Sequence, residues 1–456
     1  MEHQEELRTQ PIRKLLLKYS VPAIIGMLVN SLYNVVDRIF IGNMKDVGSM
    51  AMTGLGITMP IITIVMAFGM LVGIGATTNI SLRLGEGHRE RAERILGNAA
   101  SLAIIIGLII AIIGLIFKDQ ILYIFGASSQ TIYYAREYIG IIFIGVPASL
   151  LSFSLNHSIR ADGKPIISAS IMIVGCLTNV VLDYIFIFRF DFGIRGAALA
   201  TIISQCLTAI LTSYYYISGK SNLTFKFNNM KLDAKIVKTI FAIGMASFFM
   251  QLAASLVQVI SNHSLRIYGG DLAIGAMTTI VSINMMFLMP IFGINQGSQP
   301  IVGFNYGAKQ YDRVRRTLIA SMSVATTILT IGFLAVQIAP EPILGIFNRD
   351  PELMAISVNG IRKITLGLFL IGISIVGGTF IQSIGKAKIS MILSLLRQVI
   401  LLIPLLIFLP KIFGLDGVWF SQPIADVTST IITIIVVIKE LRLQRRMEMK
   451  LKSEEN

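Results

Sequence analysis

Asn179 and Asp183, in the run NVVLDYIFIF (179–188), stand four residues apart in a segment otherwise fit for lipid. On a helix that spacing puts both side chains on one face. A carboxylate near the middle of a membrane helix costs about 3 kcal/mol on insertion scales, so its presence asks for a function. Asp37 raises the same question in MLVNSLYNVVDRIFIGN, where Asn30, Asn34 and Asp37 fall at i, i+4 and i+7. The next helix after Asp183 supplies Thr201, Ser204 and Gln205 within AALATIISQC. Taken singly, the Asn, Ser and Thr residues suit interhelical hydrogen bonds. Two aspartates do not, because neutral groups would make the same bonds at lower insertion cost. Apolar surroundings and a neighbouring carboxylate both favour a neutral Asp. Such a pair can exchange a proton, or hold Na⁺ where carbonyl, amide and hydroxyl oxygens complete the shell.

The elements that must carry these residues are membrane helices. The 456 residues are 54% hydrophobic and 14% charged, with a mean hydropathy of +0.75. Apolar runs of the length a helix needs to cross a bilayer recur from end to end. Twelve helices are predicted, near 13–42, 50–82, 92–117, 133–158, 164–188, 196–217, 236–268, 272–304, 314–340, 354–382, 389–410 and 417–440. The class is an all-α polytopic membrane protein. The net charge of +14 is topological. Lys and Arg gather in both termini, in the even-numbered loops and in the central linker, which by the positive-inside bias places both ends in the cytoplasm. No nucleic-acid partner is expected. The N-terminus, acidic first and polar for long, is no secretory signal.

The chain is duplicated. GATTNISLRLGEGHRERAERIL (75–96) aligns without gaps on GSQPIVGFNYGAKQYDRVRRTL (297–318), an offset of 222 residues. RADGKP (160–165) meets QSIGKA (382–387) at the same offset, and FGIRG (192–196) meets FGLDG (413–417) one residue short of it. The expected organisation is a six-helix lobe at 1–220, a cytoplasmic linker at 221–235 and a second six-helix lobe at 236–456. Six is even, so the repeats are parallel. Transporters built this way hold substrate between halves that rock against each other.

Other residues divide into bland and interesting readings. Pro22, Pro60, Pro147, Pro290, Pro404 and Pro423 lie within helices, where a kink is tolerated; Pro22, fifteen residues before Asp37, is a candidate hinge. The second half lacks a clear counterpart acid, Asp426 being a doubtful one, and is rich in Gln and Met. Gln251, Met285, Met289 and Gln296, with Asn34 and Gln205 of the first half, form a weak substrate-contact set, since Met-rich surfaces re-pack around varied ligands. Arg397, close to the start of its helix, is expected to snorkel toward headgroups. His263 reads as an interfacial residue. Cys176 and Cys206 read as buried, inert thiols.

Enzyme readings find no support. The chain has no G-x-x-x-x-G-K-[ST] loop, no H-E-x-x-H among its four histidines and no D-D-x-x-D cluster. An alternative to drug transport is a flippase for a lipid-linked or polysaccharide precursor. That chemistry needs several cations in the cavity for pyrophosphate, and only Arg38 and Arg397 lie within helices.

SVPAIIGML…VVDRIFIG in the first helix and RADGKP…TNVVLDYIFIF…GIRGAALATIISQ over helices four to six resemble the multidrug and toxic compound extrusion (MATE) family, over essentially the whole chain. They are similar to its branch of DNA-damage-inducible F-type and Mep-type bacterial exporters. The resemblance implies a V-shaped, two-lobed fold and antiport of organic, often cationic and aromatic, small molecules against H⁺ or Na⁺. It implies no cofactor, a bacterial cytoplasmic membrane with its lipids, and a monomer. It places the coupling cation, with Na⁺ as the possible metal, at Asp37, Asn179, Asp183 and Thr201, and a bending proline at Pro22.

The topology is testable from sequence alone. Single cysteines at Lys226 and Lys309 are expected to react only from the cytoplasm, and one at Lys45 only from outside. Labelling of the Lys45 and Lys226 positions from one side would overturn the helix count.

Overall fold

The computed structural model describes residues 2–42, 44, 48–127, 131–219, 221–346 and 351–454. Lys45 and Lys220 lie outside the described residues, as do the side chains of Asn34, Arg38 and Lys452. Lipid leaves no water for backbone groups to bond, so spanning segments close their own hydrogen bonds as helices. Twelve long helices result among the described residues: α1 Ile12–Gly42, α2 Gly48–Gly85, α3 Arg89–Ile116, α4 Ile132–Ala161, α5 Pro165–Arg189, α6 Gly193–Ile217, α7 Ala234–Gly270, α8 Leu272–Gly307, α9 Tyr311–Ile338, α10 Pro351–Ser383, α11 Ala387–Phe413 and α12 Leu415–Glu454. Among the described residues, eleven of these are long and apolar enough to cross a membrane. The other, α12, joins an apolar first half to a strongly charged end. This is the twelve-helix plan expected from the hydropathy.

The three matched loops of the sequence repeat are matched turns. Gly87 and Lys309 both adopt positive φ, 82° and 58°, at the α2–α3 and α8–α9 turns. Gly163 and Gly385 do so at 91° and 78°, and Gly193 and Gly414 at 57° and 59°. That conformation suits glycine, and Lys309 adopts it despite carrying a side chain. The repeat was thus visible where helices must stop.

The chain forms two compact units, residues 1–6 with 25–248 and residues 7–24 with 249–456. The first part of α1 therefore belongs to the second unit, and the first part of α7 to the first unit. Within the first unit, a Cβ on Gly75 would collide with the carbonyl oxygen of Ile240, and one on Gly244 with that of Leu71. Bare glycine backbone lets α7 lie directly on α2, as small residues do between membrane helices. Within the second unit Gly297, the repeat counterpart of Gly75, meets Ser20, and Gly293 meets Ile24. α4 is the hub of the first unit, packing on α2, α3 and α6, with Gly107 against Pro147 and Gly145 against Ile202. In the second unit α10 packs on α9 and α12, and Trp419 lies fully buried beside Gly360.

The linker is not a loose tether. The side chain of Asn98 on α3 donates to the Asn229 and Lys231 carbonyls at 3.1 and 3.3 Å and accepts from the Asp233 N–H at 2.8 Å. Glu93 accepts from the Thr224 N–H at 3.1 Å and pairs with Lys226 at 3.2 Å. Asp162, between α4 and α5, accepts from the N–H groups of Asn222 and Leu223 at 3.0 and 2.9 Å and from the Tyr215 hydroxyl. Its counterpart in the second half is Ile384, which has no carboxylate to accept such bonds. Burial outweighs these bonds and pushes the Asp162 carboxyl up from 3.8 to about 6.

Two expectations follow from this packing. Gly75→Val should lower stability by about 1–3 kcal/mol, because two backbones must part. Gly140→Ala, where a Cβ meets open space, should be neutral or gain up to about 1 kcal/mol; thermal unfolding in detergent compares them. For the linker, a carboxyl whose folded value is raised penalises folding while charged, and the penalty lifts as pH falls through 6 toward 4. Hydrogen-exchange protection of the Asn222 and Leu223 amides should therefore rise between pH 7 and pH 5, and Asp162→Asn should flatten that rise.

Candidate cation site

α5 presents Asn179 and Asp183 one turn apart, 3% and 0% exposed. With its amide oriented by its neighbours, Asn179 donates from Nδ2 to Asp183 Oδ2 at 3.1 Å and accepts the Thr201 N–H of α6 at 3.2 Å. Thr201 turns its hydroxyl back onto the Ala197 carbonyl at 3.0 Å, the usual recourse of a helical Thr. Asp37 of α1 is 8% exposed and close enough to Asp183 for their charges to interact. The structure thus gathers the four predicted cation residues in one unit.

Asp183 Oδ1 makes no hydrogen bond, and Asp183 has no ion pair among the described residues. A buried carboxylate oxygen without a donor is costly unless something arrives to meet it. The described residues hold no group of three His, Cys, Asp or Glu fit for a divalent metal. The donors present are carboxylate, amide and hydroxyl, which suit a proton or a monovalent hard cation.

Two tyrosines complete the surroundings. Tyr33 and Tyr138 both stand within electrostatic reach of Asp37 and Asp183, and Tyr138 hydrogen-bonds Thr201. Tyr33 was open to discovery, since it lies one turn before Asp37 on the same face. Tyr138 was not, because nothing in IYYAREYIG links α4 to the aspartates. Immediately after Asp183, α5 opens into a π-helical turn, Ile185–Arg189, a distortion common at functional sites.

The weak substrate set is placed less sharply. Gln205 is half-buried on α6, its side-chain oxygen lying beside Gly145 of α4. Gln251, Met289 and Gln296 are half-buried and Met285 is exposed, all in the second unit. The Asn34 side chain lies outside the described residues.

Two expectations are corrected. Arg397 does not snorkel: its Nε is 2.6 Å from Asp426 Oδ1 on α12, and Gln422 donates to the same oxygen at 3.0 Å. An acid one helix away satisfies the guanidinium better than a long reach to headgroups. Cys206 is exposed rather than buried, while Cys176 is buried as expected. His263 lies exposed on α7. At the repeat offset the second half carries Val259, Leu401 and Leu405 where the first has Asp37, Asn179 and Asp183.

The MatE family model matches residues 22–185 and 246–408, reaching both repeats. The multidrug export protein MepA of Staphylococcus haemolyticus (strain JCSC1435) is 29% identical over 426 residues, 93% of each chain. A multidrug-resistance MATE family transporter of the MOP superfamily, solved outward-facing, matches with a TM-score of 0.91 at 22% identity, covering 97% of this chain and 99% of that one. A MATE protein crystallised in a bent conformation matches at 0.92 and 22%, covering 98% and 99%. With its duplicated twelve-helix plan and a family match over most of its length, the chain belongs to the MatE family of multidrug and toxic compound extrusion transporters.

Proposed function

We propose that this transporter exports organic, often cationic and aromatic, compounds from the cytoplasm by antiport with H⁺ or Na⁺ through alternating access. The carrying observation is the buried Asp183 carboxylate, with one oxygen unmet, beside Asn179, Thr201 and Asp37. A coupling ion drives export only by its differential affinity for two states of the protein. Asp183 supplies that difference if it holds the cation in one state and releases it in the other. The export of drugs by the MepA relatives supports the choice of cargo.

Pro22 is the proposed hinge. Its ring removes one backbone hydrogen bond and crowds the preceding turn. The boundary between the compact units crosses α1 two residues later, after Ile24, and crosses α7 after Phe248. At the repeat offset from Pro22 stands Gly244, so each crossing helix carries a weak helix former just before its boundary. The distribution of Lys and Arg supports a bacterial cytoplasmic membrane protein with both termini inside. We take the working form as a monomer without cofactor.

Drug counterflow in proteoliposomes under separately imposed Na⁺ and pH gradients tests this reading. Export should follow one of the two gradients, and no response to either would overturn it. Asp183→Asn should reduce coupled export to background while expression and membrane insertion stay near normal. A normally expressed variant with full efflux would remove Asp183 from the coupling site.

A further inference from the structure

The second unit contains an intramembrane charge pair that cation coupling does not use. Arg397 stands ten residues into the span Ala387–Phe413, about 15 Å along the helix and so near mid-membrane. Lipid phosphates do not sit at that depth. Asp426 is 4% exposed and its partner Arg397 19%, so the guanidinium keeps an open side.

The hydrogen-bond count shows what that side offers. Arg397 spends only Nε on Asp426, and among the described residues neither Nη makes a bond. Asp426 spends Oδ1 on both Arg397 and Gln422, leaving Oδ2 unbonded among them. A guanidinium has five donors in a planar fork, and its two-Nη edge matches a carboxylate bidentately. The pair is neutral as a whole, so a ligand adding only negative charge would be poorly compensated. A ligand bringing both charges would not.

The backbone marks the same place. α11 is π-helical over Leu396–Leu402, around Arg397, as α5 is just after Asp183. In each fifth helix the ionisable residue away from the helix ends thus lies in or near a π-helical stretch. Here, however, the acid is already held by a tethered cation, so a proton or Na⁺ would have to displace a guanidinium 2.6 Å away.

We propose that Arg397 and Asp426 form a subsite for zwitterionic substrates, with the substrate carboxylate on the Nη edge of Arg397. The inference rests on the export reading and names a substrate chemistry for the second unit.

The test uses full-length purified protein and two xanthene dyes, one with a free carboxylate and a delocalised cation, the other its methyl ester. Anisotropy titrations measure binding. Arg397→Gln combined with Asp426→Asn removes both charges, so no unpaired acid is left to unfold the protein. It should weaken the acid dye about tenfold or more, and the ester less than twofold. Arg397→Lys keeps the charge, loses the fork and should also favour the ester. Equal loss for both dyes, or no loss for either, would overturn the subsite. So would anionic lipid that co-purifies with the wild type but not with Arg397→Gln while dye selectivity stays unchanged. If the wild type shows the Arg397-dependent preference but exports neither dye from liposomes, the subsite stands and the export reading fails.

Discussion

A carboxylate oxygen held out of water without a donor is the constraint on which the first unit turns. Asp183 is fully buried on a membrane helix, and its neighbours satisfy one oxygen and leave the other. Neutral side chains would have packed there at lower cost, as Leu401 and Leu405 do at the repeat positions. Much around Asp183 positions that oxygen. Thr201 and Asn179 fix α6 against α5, Asp37 stands near on α1, and Tyr33 and Tyr138 close the surroundings with amphipathic rings. The rigidity comes from small residues, since Gly145 lets α4 approach α6 and Gly75 lets α7 lie on α2.

The duplicated halves keep their turns and several glycines and differ in their buried acids. Gly75 and Gly297 serve the same close approach, and Gly163 and Gly385 the same left-handed turn. These positions are dictated by backbone geometry, which both halves share. The buried aspartates are free of that requirement and have diverged, Asp37, Asp162 and Asp183 meeting Val259, Ile384 and Leu405. Asp162 is one such position: it binds the linker between the halves, and its counterpart Ile384 has no group that could.

Helix bounds were legible because hydropathy and turn chemistry are local. The observed α5 and α6 differ from the expected spans by a few residues at most, and the aspartates fell on one helical face as their spacing required. Asp37 and Asp183 were singled out because a carboxylate in an apolar run is conspicuous, and Asn179 and Thr201 joined them as a set through the family resemblance. Tyr138 and the Arg397–Asp426 pair were not, because each depends on which helices become neighbours, and period alone does not encode that. The membership of the first part of α1 in the second unit was hidden for the same reason. The linker's polar composition gave no sign of its docking, because Asn98, Glu93 and Asp162 lie far from it in sequence and bind it by backbone groups that every residue carries.

The two units solve one electrostatic problem in opposite ways. A buried acid needs a partner, and the partner is either exchangeable or part of the chain. In the first unit no tethered cation meets Asp183 among the described residues, which is what leaves room for the exchangeable cation proposed above. In the second, Arg397 supplies that charge covalently and Gln422 the hydrogen bond that Asn179 supplies to Asp183. On the proposed reading, ion exchange then belongs to the first unit. The second is left with a fixed dipole whose free edges can respond only to the groups a ligand itself carries.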